Sequence, residues 1–503
     1  MLQEITIRQL QDKMDSGELT AYDILESYRD RIEELDRNGP ALNAVIVLNP
    51  DALETAERLD VERASNGPRG PLHGIPVMVK DNIDTADRMA TTAGSLALEG
   101  SLAAQDAHIV HRLRAAGAII LAKTNLSEWA NFRSRNSTSG WSSLGGQTKN
   151  PYALDRNPCG SSSGSAVAVA ANLCPVAVGT ETDGSIICPA NVNSLVGIKP
   201  TLGLVGRSGI IPIAHSQDTA GPMARTVADA ALLLGALVGQ DPRDAATKRC
   251  DGLSYSDYTQ FLDPDGMRGA RIGVARNFFG FNSHVDRILE ACIEEMRRLG
   301  AEIIESADVE TAQELWEPER EVLLYEFKAG LDRYLSGLGP DVPVHSLGDV
   351  IKFNVKHREK MMPYFDQEHM LAAAEKDPLT DQAYLNALAQ CRQLSQADGI
   401  DKTMREHQLD AIVAPSGRPA WPIDLINGDV GSHGSSSPAA VAGYPNITVP
   451  AGHVFGLPVG ISFFAGAFQE PTLIKLAYAF EQATGARWTP QFLTTADLSL
   501  ADA

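Results

Sequence analysis

Two turns rich in glycine and serine carry the residue types of a covalent hydrolase. Cys159-Gly-Ser-Ser-Ser-Gly-Ser165 is followed by a run of small residues and then by Gly179-Thr-Glu-Thr-Asp-Gly-Ser-Ile186. A helix that returns the chain between them brings the two turns together. Taken singly, each run also reads as an ordinary loop or helix cap. Taken together, they point to a site, because a serine hydroxyl becomes a useful nucleophile only beside a group that accepts its proton. Gly160-Ser-Ser162-Ser-Gly164 fits the G-x-S-x-G pattern of a nucleophile elbow, but that elbow needs an apolar strand leading into its first glycine. Asp155-Arg-Asn-Pro158 precedes it instead, and nothing around His453, the downstream histidine available as base, suggests catalysis.

A different base is available in Lys80, which follows the apolar run Ile75 to Val79. At the end of a buried strand the charged ammonium is disfavoured, its pKa falls, and the neutral amine can deprotonate a serine. The competing reading, which composition alone favours, pairs Lys80 with the adjacent Asp81 as a satisfied ion pair.

The elements that must position these groups read as an α/β body. Residues 1 to about 65 show helical spacing, including Tyr22, Ile24, Leu25, Tyr28, Ile32 and Leu35, and form a helical packing layer. From Gly74 onward short apolar runs at Ile75 to Val79, Ala118 to Ala122 and Pro175 to Val178 alternate with helical patterns. That alternation predicts a large mixed, mostly parallel sheet covered by helices on both faces. Residues 161 to 173 suit a buried small-residue helix. Residues 305 to 410, rich in Glu, Leu, Tyr, Lys and Gln, read as a helical insertion near the substrate entrance. Strand signals return at Ala411 to Ala414, Asn446 to Val449 and Val459 to Phe464, and Leu473 to Thr484 closes as a helix.

The chain of 503 residues carries 43 Lys and Arg against 64 Asp and Glu, a formal charge of −21. This field repels phosphates and argues against a nucleic-acid or anionic-membrane partner. A prior of roughly 150 residues per domain allows about three domains. No Pro/Ser-rich or charge-run linker divides the chain, so 1–503 is expected to be one domain. The six cysteines, Cys159, Cys174, Cys188, Cys250, Cys292 and Cys391, show no C-x-x-C pair and no metal-ligand spacing. They read as reduced, mostly buried thiols, with no metal and no cofactor implied. Met1 to Met14 lacks the apolar segment of a signal peptide, and no run of 18 apolar residues occurs. A soluble cytoplasmic protein is expected unless an export leader has been removed. No heptad or interface patch appears, so the expectation is a monomer or simple homodimer.

Gly70-Pro-Leu-His-Gly-Ile-Pro-Val-Met-Val-Lys-Asp-Asn-Ile83, the Gly160-Ser-Ser run and Gly184-Ser-Ile186 together resemble the amidase signature family. Lys123-Thr-Asn-Leu-Ser-Glu-Trp129, Gly146-Gln-Thr-Lys-Asn-Pro151, Gly197-Ile-Lys-Pro200, Gln217-Asp218 with Gly221-Pro222, and Gly456-Leu-Pro-Val-Gly460 extend the resemblance over most of the chain. It implies an amidase-signature fold and a Ser-Ser-Lys triad. In that triad Ser185 is the nucleophile, Ser161, following a cis peptide after Gly160, is the bridging serine, and Lys80 is the base. It also implies an oxyanion hole of backbone N–H groups from Thr182, Asp183, Gly184 and Ser185, each donor worth about 2.7–4 kcal/mol. The relay would return a proton to the leaving nitrogen, which amide cleavage requires.

Two departures from the common family pattern matter, Asp183 where Gly is usual and Ile187 where Arg is usual. The Asp183 carboxylate either repels an anionic product or recognises an amide N–H. With Trp129-Ala-Asn-Phe132 and Trp141, this variant is similar to the family's bacterial peptide amidases, which remove the C-terminal amide of peptide amides. Trp129, Ala130, Phe132, Trp141 and Asp183 are the candidate substrate contacts. The alternatives within the family are an aryl acylamidase acting on anilides and a glutamine-hydrolysing amidotransferase subunit.

Overall fold

In the computed structural model, which describes residues 2–431 and 433–499, the run that ends in Lys80 is a strand buried at every residue. In chain order the strands are β1 Val45–Leu48, β2 Pro76–Lys80, β3 Ile119–Thr124, the hairpin of β4 Trp141–Ser142 and β5 Gly146–Gln147, and β6 Val176–Glu181. They continue as β7 Val196–Lys199, β8 Thr219–Ala224, β9 Arg271–Val274, β10 Glu302–Ile304, β11 Ala411–Pro415, β12 Asn446–Val454 and β13 Leu457–Phe464. All but β4 and β5 join one 11-stranded sheet in the order β1-β3-β2-β6-β8-β7-β12-β13-β11-β9-β10.

The sheet is mixed, and its parallel pairing runs through two blocks, β3-β2-β6 and β11-β9-β10. Antiparallel pairs link those blocks through β8, β7, β12 and β13, and β1 lies antiparallel on β3. Strands β2, β3, β6, β7, β8, β11 and β13 are buried at every position, which requires cover on both faces.

The N-terminal layer contains helices Ile7–Asp15, Ala21–Arg31 and Ala52–Asn66. It also contains β1, where helix alone was expected. The reason is tertiary: the edge of β3 offers a free ladder, and the buried Asp36 carboxylate accepts the Ala44 and Val45 N–H groups at 2.6 and 3.2 Å. Strand β8 was also illegible, because it contains Gly221-Pro222. A Cβ at Gly221 would lie 2.0 Å from the Ile198 carbonyl oxygen, so only glycine lets the neighbouring strand approach this closely.

Residues 305–410 hold helices and turns only, the longest helix being Trp316–Ser336. A separate apolar cluster joins Phe327, Leu331 and Val350 of this segment to Trp129, Phe132 and Ile213 of the sheet-side loops. That packing sets the segment beside the Gly/Ser turns. No helix among the described residues is long and apolar enough to cross a membrane.

Candidate active site

The carboxyl ends of β2 and β6 place Lys80 and Thr180 side by side. Lys80 Nζ donates to Thr180 Oγ1 at 2.9 Å and to the Thr180 carbonyl at 3.2 Å, and lies 2.7 Å from Ser161 Oγ. With two N–H bonds taken up at Thr180, a neutral amine has its lone pair left for the Ser161 hydroxyl proton. Asn82, in the turn after β2, donates to Thr180 Oγ1 at 3.0 Å. Lys80 is fully buried. Burial pulls its pKa down to about 7, against the opposing pull of Asp218 and Glu181.

The ion-pair alternative for Lys80 is not what the fold forms. Asp81 points to the other side of β2, where the Thr92 hydroxyl and the Gly94 N–H donate to it and Lys123 is the cation acting on it. Lys123 itself donates to the Ile83 carbonyl and to Thr91 Oγ1.

The first Gly/Ser turn delivers Ser161 through a cis Gly160–Ser161 peptide, just ahead of the buried helix Ser163–Ala170. The second turn runs from Thr182 to Ser185, with Gly184 at φ +74°, a left-handed conformation that suits glycine. The Ser162 N–H donates to the Ser185 carbonyl at 3.1 Å and stitches the two turns together. Glu181 Oε2 accepts the N–H groups of Ile186 and Ile187 at 2.7 and 3.0 Å, which satisfies the start of helix Ile187–Val192 immediately after Ser185. The N–H groups of Asp183, Gly184 and Ser185 find no acceptor among the described residues, as an oxyanion hole requires.

The cysteines correct the expectation of six thiols. Cys159 and Cys188 are joined in a disulfide across a separation of 29 residues, while Cys174, Cys250, Cys292 and Cys391 are free and buried. The bond ties the residue before Gly160 to the helix after Ser185. Their spacing carries no motif, and only the meeting of the two turns brings their Cα atoms to 6.0 Å.

Ser185 opens on a cavity of about 530 Å³ that Phe132, Asp183, Trp316, Glu319 and Trp421 also line. Of the candidate substrate contacts, Ala130 and Phe132 line this cavity together with Asp183. Trp129 and Trp141 do not. Trp129 sits in the apolar cluster with Leu331 and Phe327. Trp141 packs edge-on against Phe365 at 5.1 Å, with the Arg133 guanidinium 5.0 Å above its ring. Both indoles are core packing that holds the loops, not cavity wall.

Asp183 lies on the cavity and accepts the hydroxyls of Ser436 and Ser437, each at 2.6 Å. Glu319, a residue the sequence did not single out, lines the same cavity, and its carboxyl acts on that of Asp183. Gln217 Nε2 donates to Glu319 Oε1 at 2.9 Å and to the Thr182 carbonyl at 3.3 Å, and Thr182 Oγ1 donates to Asp218 at 2.6 Å. Burial pushes both members of the Asp183–Glu319 pair upward, Glu319 well above the usual carboxyl range.

The family model described as Amidase matches residues 23–474. The chain belongs to the amidase family. It is 52% identical to peptide amidase PAM, solved with the competitive inhibitor chymostatin, with a TM-score of 0.95 over 97% of this chain and 99% of that one. A probable amidase of Arabidopsis thaliana is 43% identical over 501 residues, covering 98% of this chain and 92% of its own. A glutamyl-tRNA(Gln) amidotransferase subunit of Thermoanaerobacter pseudethanolicus is 33% identical, covering 97% of this chain and 98% of its own. The amidase is therefore an amide-hydrolysing enzyme, and its mixed α/β fold is that of the solved amidases.

Proposed function

We propose that this amidase removes the C-terminal amide of peptide amides through an acyl-enzyme on Ser185. Neutral Lys80 takes the proton of Ser161, Ser161 takes that of Ser185, and the Ser185 oxygen attacks the carboxamide carbonyl. The negative charge that develops on the carbonyl oxygen is met by the N–H groups of the 182–185 turn. The same relay returns a proton to the departing nitrogen, and water then cleaves the ester by the reverse sequence.

The observation that carries this reading is the 2.7 Å approach of a buried Lys80 to Ser161. High identity to a peptide amidase over nearly the whole chain supports the substrate class. A cavity of about 530 Å³ is large enough for a short peptide end, whereas free glutamine would leave most of it empty.

The test is incubation with an amidated dipeptide, an acyl anilide and glutamine, following free acid, aniline and ammonia. Deamidation of the dipeptide without cleavage of internal bonds is the expected result. Preference for the anilide reassigns the enzyme as an aryl acylamidase, and turnover of glutamine alone reassigns it as an amidotransferase subunit. Ser185→Ala abolishes turnover; more than trace activity overturns the nucleophile assignment.

A further inference from the structure

Glu319 comes from helix Trp316–Ser336, far along the chain from the Gly/Ser turns, yet it lines the same cavity as Asp183, two residues before Ser185, and Gln217 Nε2 bridges it to the Thr182 carbonyl next to Asp183. Two neighbouring carboxyls on one cavity wall resist ionising together, so the pair is taken to share one proton and to carry a single negative charge. Its hydrogen bonding fits that state. Asp183 accepts from Ser436 and Ser437, two of the roughly four positions a carboxylate offers, while Glu319 accepts from Gln217. Both residues line the cavity beside Ser185.

This amidase converts a neutral amide that donates N–H bonds into a carboxylate that only accepts and carries charge. A fixed negative pair with acceptor capacity beside the nucleophile favours the first and opposes the second. Resting on the reading of Ser185 as nucleophile, we infer that the Asp183–Glu319 carboxyl pair selects the carboxamide against the carboxylate, rejecting free-acid peptides and expelling the acid product.

Other charges face this pair. Lys199 and Glu181 act on Asp183 from the sheet side. Arg135, Arg320, His369 and Asp429 share the cavity wall. The arginines attract anions, so the contribution of the pair is read as a difference between variants that leave them in place.

The experiment uses whichever amide the enzyme turns over and measures competitive inhibition by its own acid product across neutral to alkaline pH, where that product is fully ionised. In the unaltered enzyme the inhibition constant rises with pH as Lys80 loses its charge and as the pair loses its shared proton, and the share of the pair is the part of the rise that Glu319→Gln removes. Asp183→Asn leaves one buried, protonated Glu319 and tightens acid binding about tenfold relative to the KM for the amide. Glu319→Gln leaves one ionised Asp183, so the acid is still opposed but the rise with pH flattens. If Asp183→Asn fails to fold, Glu319→Gln carries the test through that slope. An inhibition constant equal to that of the unaltered enzyme in both variants, or one that never rises with pH, overturns the assignment. Which amide is turned over decides the substrate class separately.

Discussion

Lys80 Nζ stands 2.7 Å from Ser161 Oγ at the end of a fully buried strand, with Thr180 taking up its other hydrogen bonds. Burial holds this amine near neutrality, which the proposed role of base requires. With its pKa at about 7, kcat/KM is expected to fall with a single proton uptake below that pH. Lys80→Ala should lose about 10²–10⁴ in kcat and show no acid limb centred there. A pH–rate profile with the acid limb unchanged in that variant removes Lys80 from the role of base.

The same burial costs stability. Between about 7 and the ordinary lysine value of 10.5 the folded chain binds fewer protons at Lys80 than the unfolded chain. The penalty is therefore full below about pH 7 and fades as pH rises through that window. Lys80→Met, which fills similar space without charge, should raise the melting temperature at pH 6 to 7 while abolishing activity, and the gain should shrink at higher pH. Thermal melts at several pH values check the sign.

The Cys159–Cys188 bond, across a separation of 29 residues, ties together the two Gly/Ser turns. Alkylation of the unfolded, unreduced protein should label the four free cysteines, and prior reduction should expose all six. Replacing both partners by serine should destabilise the chain by about 3–4 kcal/mol, as a loop of this length implies. The melting temperature reports the loss. Equal labelling with and without reductant would show that the bond does not form.

Phe132 and Trp129 stand in the same stretch of chain but should behave differently. Phe132 lines the cavity, stacked on His369 at 4.9 Å. Phe132→Leu should reorder kcat/KM among peptide amides of different side chains by about tenfold or more. Trp129→Phe should lower the melting temperature by an amount equivalent to about 1–2 kcal/mol and leave the substrate order intact. Profiling both variants on one substrate panel separates the two.

Glu181 offers a further check on how the nucleophile turn is held, because its carboxylate caps the helix that follows Ser185. Glu181→Ala leaves two buried N–H groups without an acceptor, a loss of about 1–3 kcal/mol. A fall in kcat larger than any change in KM is expected, since the turn carries the proposed oxyanion donors. Steady-state kinetics at a fixed temperature measure both.

Much of this was legible in the residues themselves. The apolar run into Lys80, the paired Gly/Ser turns and the strand signals at Ala411, Asn446 and Val459 all depend on local pattern, and each became the expected element. Chemistry that needs a buried lysine must place it at the end of an apolar run, so that part of the site is written along the chain.

What the tertiary structure alone decided are the meetings between distant segments. Glu319 joins Asp183 on one cavity wall only because helix Trp316–Ser336 packs against the loops of Trp129, Phe132 and Ile213. Cys159 finds Cys188 because those turns converge. Strand β1 forms because β3 offers an unpaired edge, and β8 because Gly221 admits a neighbour that any side chain would exclude. Trp129 and Trp141 face the core and not the cavity. Local pattern reports which residues favour burial or a turn, but which of two buried surfaces a side chain enters depends on what packs against it. That partner is set by the three-dimensional path of the chain.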